Sequence, residues 1–187
     1  MGFEFINKFK EEKPTVYVPN PTWGNHHTCI TSSGLKFVPY RYYDPTTKLL
    51  DFPGMIEDLS KIPKGSVVLL HACAHNPTGN HFSICFHFNM RVGVDLTEKE
   101  WLQLQDMLLK KDPIVFFDMA YQGFATGDPI KDSFAVRSFA KTGCNMLLAQ
   151  SFAKNFGLYG ERAGCLSMLC KRYDYSIVLH LMQYLQH

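Results

Sequence analysis

Short apolar runs alternate with amphipathic stretches along most of this sequence, and this alternation restricts the fold more than any other feature. Most of the runs are apolar almost throughout, which is typical of strands buried on both faces of a sheet. The stretches between them have helical spacing, so the pattern predicts a single α/β domain. The predicted strands are Thr15–Val18, Lys36–Tyr40, Ser66–Ala72, Pro113–Asp118, Asn145–Gln150 and Ala163–Leu169.

The best defined helical stretch is Thr97–Lys111. Thr97 can cap its first turn, Glu100 completes a capping box, and the apolar residues from Trp101 to Leu108 share one face. Such a helix covers a sheet with one side and meets solvent with the other. The remaining predicted helices are Pro53–Lys61, Lys131–Lys141 and Lys171–Gln186.

Composition excludes several classes of function. The 187 residues are 46% hydrophobic and 19% charged, and their net charge is only +2 with basic and acidic residues intermixed, so nucleic acid is not an expected partner. No window is apolar for long enough to predict a membrane span, and the charged first segment does not fit a signal peptide. The six cysteines are irregularly spaced, which favours neither a zinc site nor a disulfide framework.

Three polar side chains follow predicted strands at the point where each strand ends. They are Asn76, Asp118 and Ser151. Ligands of α/β sheets bind beyond the carboxyl ends of the strands, so these residues are expected to meet in one crevice.

Asp118 and Lys154 are the most informative charges. A carboxylate at the end of an apolar strand requires a cationic or hydrogen-bonding partner, such as a protonated pyridine nitrogen, although a helix cap or a surface turn would also satisfy it.

Lys154 alone is more often a solvated charge. The segment from Ser151 to Lys154 also matches a penicillin-binding S-x-x-K element, but Lys141-Thr142-Gly143 precedes it instead of following, and we treat the match as coincidence.

The residues His71, Cys73 and His75 alternate along the end of a predicted strand, which raises the possibility of a metal site. No carboxylate or further cysteine is placed to complete it, so we predict no metal and expect hydrogen-bonded histidines. Trp23, in a loop before a helical stretch, either belongs to the core or a surface patch or stacks on a flat cofactor.

Six segments together resemble the aspartate aminotransferases, and they occur in that family's order from about Pro14 to Lys171. These segments are PTWGNH (21–26), YRYYDP (40–45), HACAHNPTG (71–79), FFDMAYQGF (116–124), SFAKN (151–155) and GLYGER (157–162). The resemblance implies the large domain of a fold-type I pyridoxal-phosphate enzyme, with a mixed, mostly parallel sheet flanked by helices.

The resemblance also implies a role for each matched residue. Lys154 would form the Schiff base with pyridoxal 5'-phosphate and act as the catalytic base, Asp118 would pair with the pyridine nitrogen, and Tyr121 with Asn76 would bind the phenolic oxygen. Trp23 would stack on the ring and, like Asn76, contact substrate. Ser151 and Arg162 would hold the phosphate, and His26 with His71 would support Asp118.

The implied reaction is transamination between L-aspartate and 2-oxoglutarate, giving oxaloacetate and L-glutamate, by a homodimer in mitochondria or, alternatively, in the cytoplasm. Aminotransferases of kynurenine or aromatic amino acids, and a non-catalytic binding or dimerisation module, are the alternatives. The family's carboxylate-binding arginines have no match here, so we expect weak activity from this chain alone. The segment Asn80–Gly93 is an insertion relative to the family.

Overall fold

The computed structural model describes residues 1–78 and 94–171. The insertion Asn80–Gly93 and nearly all of the predicted helix Lys171–Gln186 lie outside the described residues. Among those described, none of the helices combines the length and apolarity of a membrane span.

A six-stranded sheet forms the centre of the described fold, and it confirms the predicted α/β class. Its spatial order is β2-β1-β5-β6-β7-β8, in which every neighbouring pair is parallel except β7 and β8, which are antiparallel. The six strands are β1 (Thr15–Asn20), β2 (Lys36–Arg41), β5 (Val67–His71), β6 (Ile114–Met119), β7 (Met146–Ser151) and β8 (Gly164–Leu169). All six predicted strands are therefore present, with ends shifted by one or two residues.

Helices cover both faces of the sheet because side chains alternate along the central strands. On one face, Phe117 of β6 packs with Trp101 and Phe139, with ring centroids 5.4–6.0 Å from Phe117. On the other face, Phe116 packs against Phe3 at 4.7 Å. The helices are α1 (Gly2–Phe9), α2 (Gly24–Ser32), α3 (Phe52–Ser60), α4 (Glu98–Leu109), α5 (Pro129–Asp132) and α6 (Phe134–Lys141).

Three local features differ from the sequence prediction. The predicted helix Lys131–Lys141 is interrupted at Ser133, whose φ of −90° and ψ of 6° are not helical. Helix α1 was not predicted, and neither was the short hairpin of β3 (Tyr43–Asp44) and β4 (Leu49–Leu50). The capping box of α4 forms as predicted, because Thr97 accepts from the Glu100 amide and Glu100 accepts from the Thr97 amide.

Candidate active site

The carboxyl ends of the parallel strands bring the predicted site residues to one edge of the sheet. His71 at the end of β5 is the register partner of Asp118 in β6, and Asp118 is the partner of Ala149 in β7. Ser151 ends β7, and the turn after β1 leads into α2 with Trp23 as its N-cap. The crevice expected from the strand ends is therefore formed by four neighbouring strands.

A chain of hydrogen bonds stands behind Asp118. The Asp118 Oδ2 atom lies 3.1 Å from Nε2 of His26, and Nδ1 of His26 lies 2.8 Å from the hydroxyl of Thr22. The same hydroxyl lies 3.1 Å from Nε2 of His71. One set of directions satisfies every atom: His71 donates to Thr22, Thr22 donates to His26, and His26 donates to the carboxylate.

The charge of Asp118 is set by two opposing effects. Burial by itself raises the pKa of Asp118, but the hydrogen bond from His26, together with the nearby charge of Lys154, outweighs it and lowers the pKa below its ordinary value. Only Oδ2 has a hydrogen-bond partner among the described residues, and the side chain is 24% exposed. The site therefore presents an ionised carboxylate with one open oxygen to the crevice.

The two histidines at the end of β5 are held neutral. Burial, together with the neighbouring His75 charge, lowers the pKa of His71 to about 3. Burial also lowers the pKa of His75 to about 3, and the His75 ring stacks on Tyr42 at 3.9 Å. Neutral His71 supplies the N–H that begins the chain to Asp118 without adding a competing positive charge.

The metal hypothesis for His71, Cys73 and His75 does not match the geometry. The group within the described residues whose ligand atoms lie within 4.8 Å of one another is instead His26, His71 and Asp118. Its members already bond to each other or to Thr22, and burial raises the pKa of the Cys73 thiol. These contacts place His26 and His71 in a hydrogen-bonded chain with Thr22 and Asp118, and their support of a cofactor-binding Asp118 stays a prediction.

Lys154 and Tyr121 face each other across the crevice. The Lys154 Nζ atom lies 5.1 Å from the centroid of the Tyr121 ring, which is within the range of a cation–π contact. Lys154 follows β7, Tyr121 follows β6, and both are half-buried. Two residues predicted to act on the same ligand are thus brought together from separate loops.

Trp23 lies at the mouth of the site. Its ring meets His26 edge-on at 5.4 Å and an interplanar angle of 86°, and the residue is 43% exposed. An indole that is partly exposed in this way has ring surface available for stacking on a planar ligand.

The predicted phosphate-binding residues are less closely associated. The Ser151 hydroxyl accepts from the Ala153 amide at 3.3 Å, and Arg162 is exposed and donates to the Tyr159 carbonyl at 3.4 Å. In residues 1–78 and 94–171, no hydrogen bond or ion pair joins Arg162 to Ser151. Their role at the phosphate stays a prediction, and so does that of Asn76, which lies half-buried in the turn after β5.

Sequence reasoning missed three residues that support the site. Thr22 lies within the PTWGNH segment, just before the N-cap of α2, and no local signal marked its hydroxyl. The other two, the half-buried Asp95 and the buried Asp132, lie outside the predicted site. Burial of a carboxylate is not visible in a single sequence, so no local signal identified the two aspartates.

Comparison with known proteins agrees with this fold and identifies the family. The family described as aminotransferase class I and II matches residues 3–186, and the chain belongs to that family. It is 46% identical over 171 residues to the mitochondrial aspartate aminotransferase of Gallus gallus and 47% identical over 177 residues to the cytoplasmic aspartate aminotransferase of Oryza sativa subsp. japonica. These alignments cover 91% and 95% of this chain but 37% and 40% of the relatives, so the chain spans about two fifths of their length.

Solved structures give the same result. A mitochondrial aspartate aminotransferase from Trypanosoma brucei superposes with a TM-score of 0.85 at 40% identity, over 97% of this chain and 44% of that one. An aromatic-amino-acid aminotransferase from Burkholderia pseudomallei, covalently bound to pyridoxal phosphate, has a TM-score of 0.83 at 35% identity, over 97% and 41%. The expected fold-type I large domain, a mixed and mostly parallel sheet with flanking helices, is confirmed.

Proposed function

We propose that this chain carries the cofactor-binding site of an aspartate transaminase, which transfers the amino group of L-aspartate to 2-oxoglutarate and yields oxaloacetate and L-glutamate. The observation that carries the proposal is the ionised carboxylate of Asp118, backed by His26, Thr22 and His71 and open toward Lys154. The identity to aspartate aminotransferases supports the choice of substrates.

The residues present fit pyridoxal 5'-phosphate. Bound there, this cofactor supplies an electron-accepting ring whose pyridine nitrogen must stay protonated to work. Asp118 matches that requirement because its pKa is lowered and one of its oxygens lacks a partner among the described residues. A neutral hydrogen-bond acceptor at this position would not hold the nitrogen in its charged form.

Lys154 is the residue that binds the cofactor covalently and moves the proton at the substrate α-carbon. An amine suits this task because it can accept a proton and return it in the same site. Tyr121, next to Lys154, and Asn76, in the turn after β5, would donate to the phenolic oxygen of the ring. Trp23 would stack on the ring and help to orient the substrate.

Phosphate binding is assigned to Ser151 and Arg162. The guanidinium of Arg162 is exposed and makes one long hydrogen bond, so most of its donors remain available for a bidentate contact with phosphate. The Ser151 hydroxyl can donate to phosphate while it accepts from the Ala153 amide. Ser151 ends β7 and Arg162 lies just before β8, whose first residue pairs with Ser151, so both residues lie at the same edge of the sheet.

The main alternative is a related transaminase for aromatic amino acids, favoured by the similarity to the aromatic-amino-acid enzyme of Burkholderia pseudomallei. Greater identity to aspartate aminotransferases favours the first choice. Comparing the rates with aspartate and with phenylalanine as amino donors distinguishes the two.

We also propose a homodimer. Three large side chains on the loops around the site are 55–67% exposed, which is typical of a surface that a second subunit covers. They are Phe124, Phe156 and Tyr159.

For location we propose mitochondria, with the cytoplasm as the alternative, because relatives of both locations are similar.

The test of the proposed function is covalent trapping. We expect borohydride reduction of the chain loaded with pyridoxal 5'-phosphate to attach the cofactor to Lys154. Lys154 is the only amine among the proposed cofactor ligands, and its charge lies near Asp118. Peptide mass spectrometry locates the adduct.

Lys154→Ala should eliminate the adduct. The matched control is Lys141→Ala, which removes a lysine at the end of α6 and should leave the adduct on Lys154. An adduct that persists on another lysine in the Lys154→Ala variant at the level of the unmodified chain would contradict the proposal.

A further inference from the structure

Asp95 holds the turn that carries Asn76. Its carboxylate accepts hydrogen bonds from the amides of Ala74 at 2.6 Å and of His75 at 2.8 Å. Ala74 has a φ of +47°, a conformation that non-glycine residues adopt only where the surroundings hold it. Asn76 lies two residues after Ala74, so the direction of the Asn76 side chain depends on this strained turn.

Further contacts close the base of the same turn. Tyr42 donates to the carbonyl of Val94 at 2.5 Å, which fixes the residue before Asp95, and its ring stacks on His75. His75 Nδ1 lies 2.6 Å from the Thr78 hydroxyl. Thr78 and Val94 flank positions 79–93 in the sequence, so Tyr42 and His75 connect the described segments on either side of these positions near Asn76.

Asp132 holds the loop that follows Tyr121 in a similar way. Its carboxylate accepts from the amides of Gly123 at 2.8 Å, Ala125 at 3.1 Å and Thr126 at 3.1 Å, and from the Thr126 hydroxyl at 2.7 Å. The residue is only 4% exposed. Four donors around one buried carboxylate compensate its loss of hydration and restrict the loop to one conformation.

The two carboxylates lie close enough to each other and to Cys73 for their charges to interact. Burial, followed by the charges of Asp132 and Asp95, raises the pKa of Cys73, and the Asp132 charge adds to the burial that raises the pKa of Asp95. Within the part of the chain that the structure describes, neither carboxylate bonds to Asp118, Lys154 or Tyr121. Their bonds go to the loops, not to the ligand-facing side chains.

We propose that Asp95 and Asp132 are positioning residues that aim Asn76 and Tyr121 at the same oxygen of the bound cofactor. This inference rests on the proposed function. Each carboxylate fixes the backbone of one loop, and together they set the separation of two donors that come from different strands. A change in either anchor should therefore act through the one donor that its loop carries.

The first test needs no cofactor. Amide hydrogen exchange is measured on the full chain and on Asp95→Asn and Asp132→Asn, whose amide groups keep the shape but offer one acceptor oxygen fewer. We expect about tenfold faster exchange or more at Ala74 and His75 in the first variant and at Gly123, Ala125 and Thr126 in the second. Circular dichroism verifies that each variant is folded.

Matched controls are Asp51→Asn and Asp128→Asn, because these aspartates also accept backbone amides but cap α3 and α5. Neither should change exchange at the five loop amides. Unchanged exchange at those amides in Asp95→Asn and Asp132→Asn would overturn the proposal.

The second test uses pyridoxal 5'-phosphate and the pH midpoint of its visible absorbance band in the loaded chain. We expect Asp95→Asn to move the midpoint in the direction of Asn76→Ala, by up to about one pH unit, and to add nothing in the Asn76→Ala background. Likewise, we expect Asp132→Asn to move the midpoint in the direction of Tyr121→Phe and to add nothing in the Tyr121→Phe background. Equal shifts in both backgrounds would overturn the positioning role, whereas failure of the unmodified chain to bind the cofactor would overturn the proposed function and leave the exchange test valid.

Discussion

Replacing Asp118 by alanine is expected to weaken pyridoxal 5'-phosphate binding roughly a hundredfold. Removing one partner of a buried, hydrogen-bonded charge pair costs about 2–5 kcal/mol, and the low end applies here because the side chain is 24% exposed. The loss combines two effects: the cofactor's cationic nitrogen has no counter-charge, and His26 has no acceptor for its N–H. Fluorescence titration of the cofactor-free chain measures the affinity.

The isosteric change Asp118→Asn separates these two effects. Asparagine can still accept from His26 through its side-chain oxygen, but it carries no negative charge, so we expect most of the loss to remain. Asp128→Ala is the control, because Asp128 caps α5 with bonds to the Ile130 and Lys131 amides and does not face the crevice. Equal losses for Asp118→Ala and Asp128→Ala would show that Asp118 has no special relation to the cofactor.

Acid is expected to destabilise the cofactor-free chain well above the pH at which carboxylates titrate. Both His71 and His75 have folded-state pKa values of about 3, against 6.5 in the unfolded chain. The unfolded state therefore binds more protons between these values. The stability that the neutral rings contribute is complete above pH 6.5 and is lost as the pH falls toward 3.

The expected loss is large. Each histidine contributes a slope of roughly 1.4 kcal/mol per pH unit, so the two together lower the free energy of unfolding by about 4 kcal/mol between pH 7.5 and pH 5. Asp95, whose pKa is raised, opposes this slope in acid. Asp118, whose pKa is lowered, adds to it only below its ordinary pKa of 3.8. Urea unfolding at a series of pH values measures the free energy.

The variant His75→Phe isolates one of the two contributions. Phenylalanine keeps a ring that can stack on Tyr42, so we expect the slope between pH 6.5 and pH 5 to fall by about half. His27→Phe is the control, because His27 is exposed and stacks on Phe37 at 4.4 Å. A slope that His75→Phe leaves unchanged would contradict the assignment of His75 as a buried neutral group.

Much of the fold was predictable because its signals are local. Each central strand is apolar on both faces, so its burial is written in a continuous run such as that ending at Asp118. The capping box of α4 depends on residues three positions apart, Thr97 and Glu100, and it was found for that reason. The short α1 was missed because no capping side chain marks its first turn, although its buried residues Phe3 and Ile6 share one face.

The features of the site can also be separated into those with a local sequence signal and those that depend on the folded chain. The sequence by itself determined the family, the strand ends that carry the crevice residues and the candidate residues Lys154, Asp118, Tyr121 and Asn76, because motif order and strand ends are linear properties. Only the tertiary structure decided that Thr22 links His26 to His71, that Asp132 holds the loop after Tyr121, and that Asp95 holds a strained Ala74. These contacts join residues from 4 to 49 positions apart. Their strength comes from burial, which removes competing water and is a property of the packed chain, not of any segment of it.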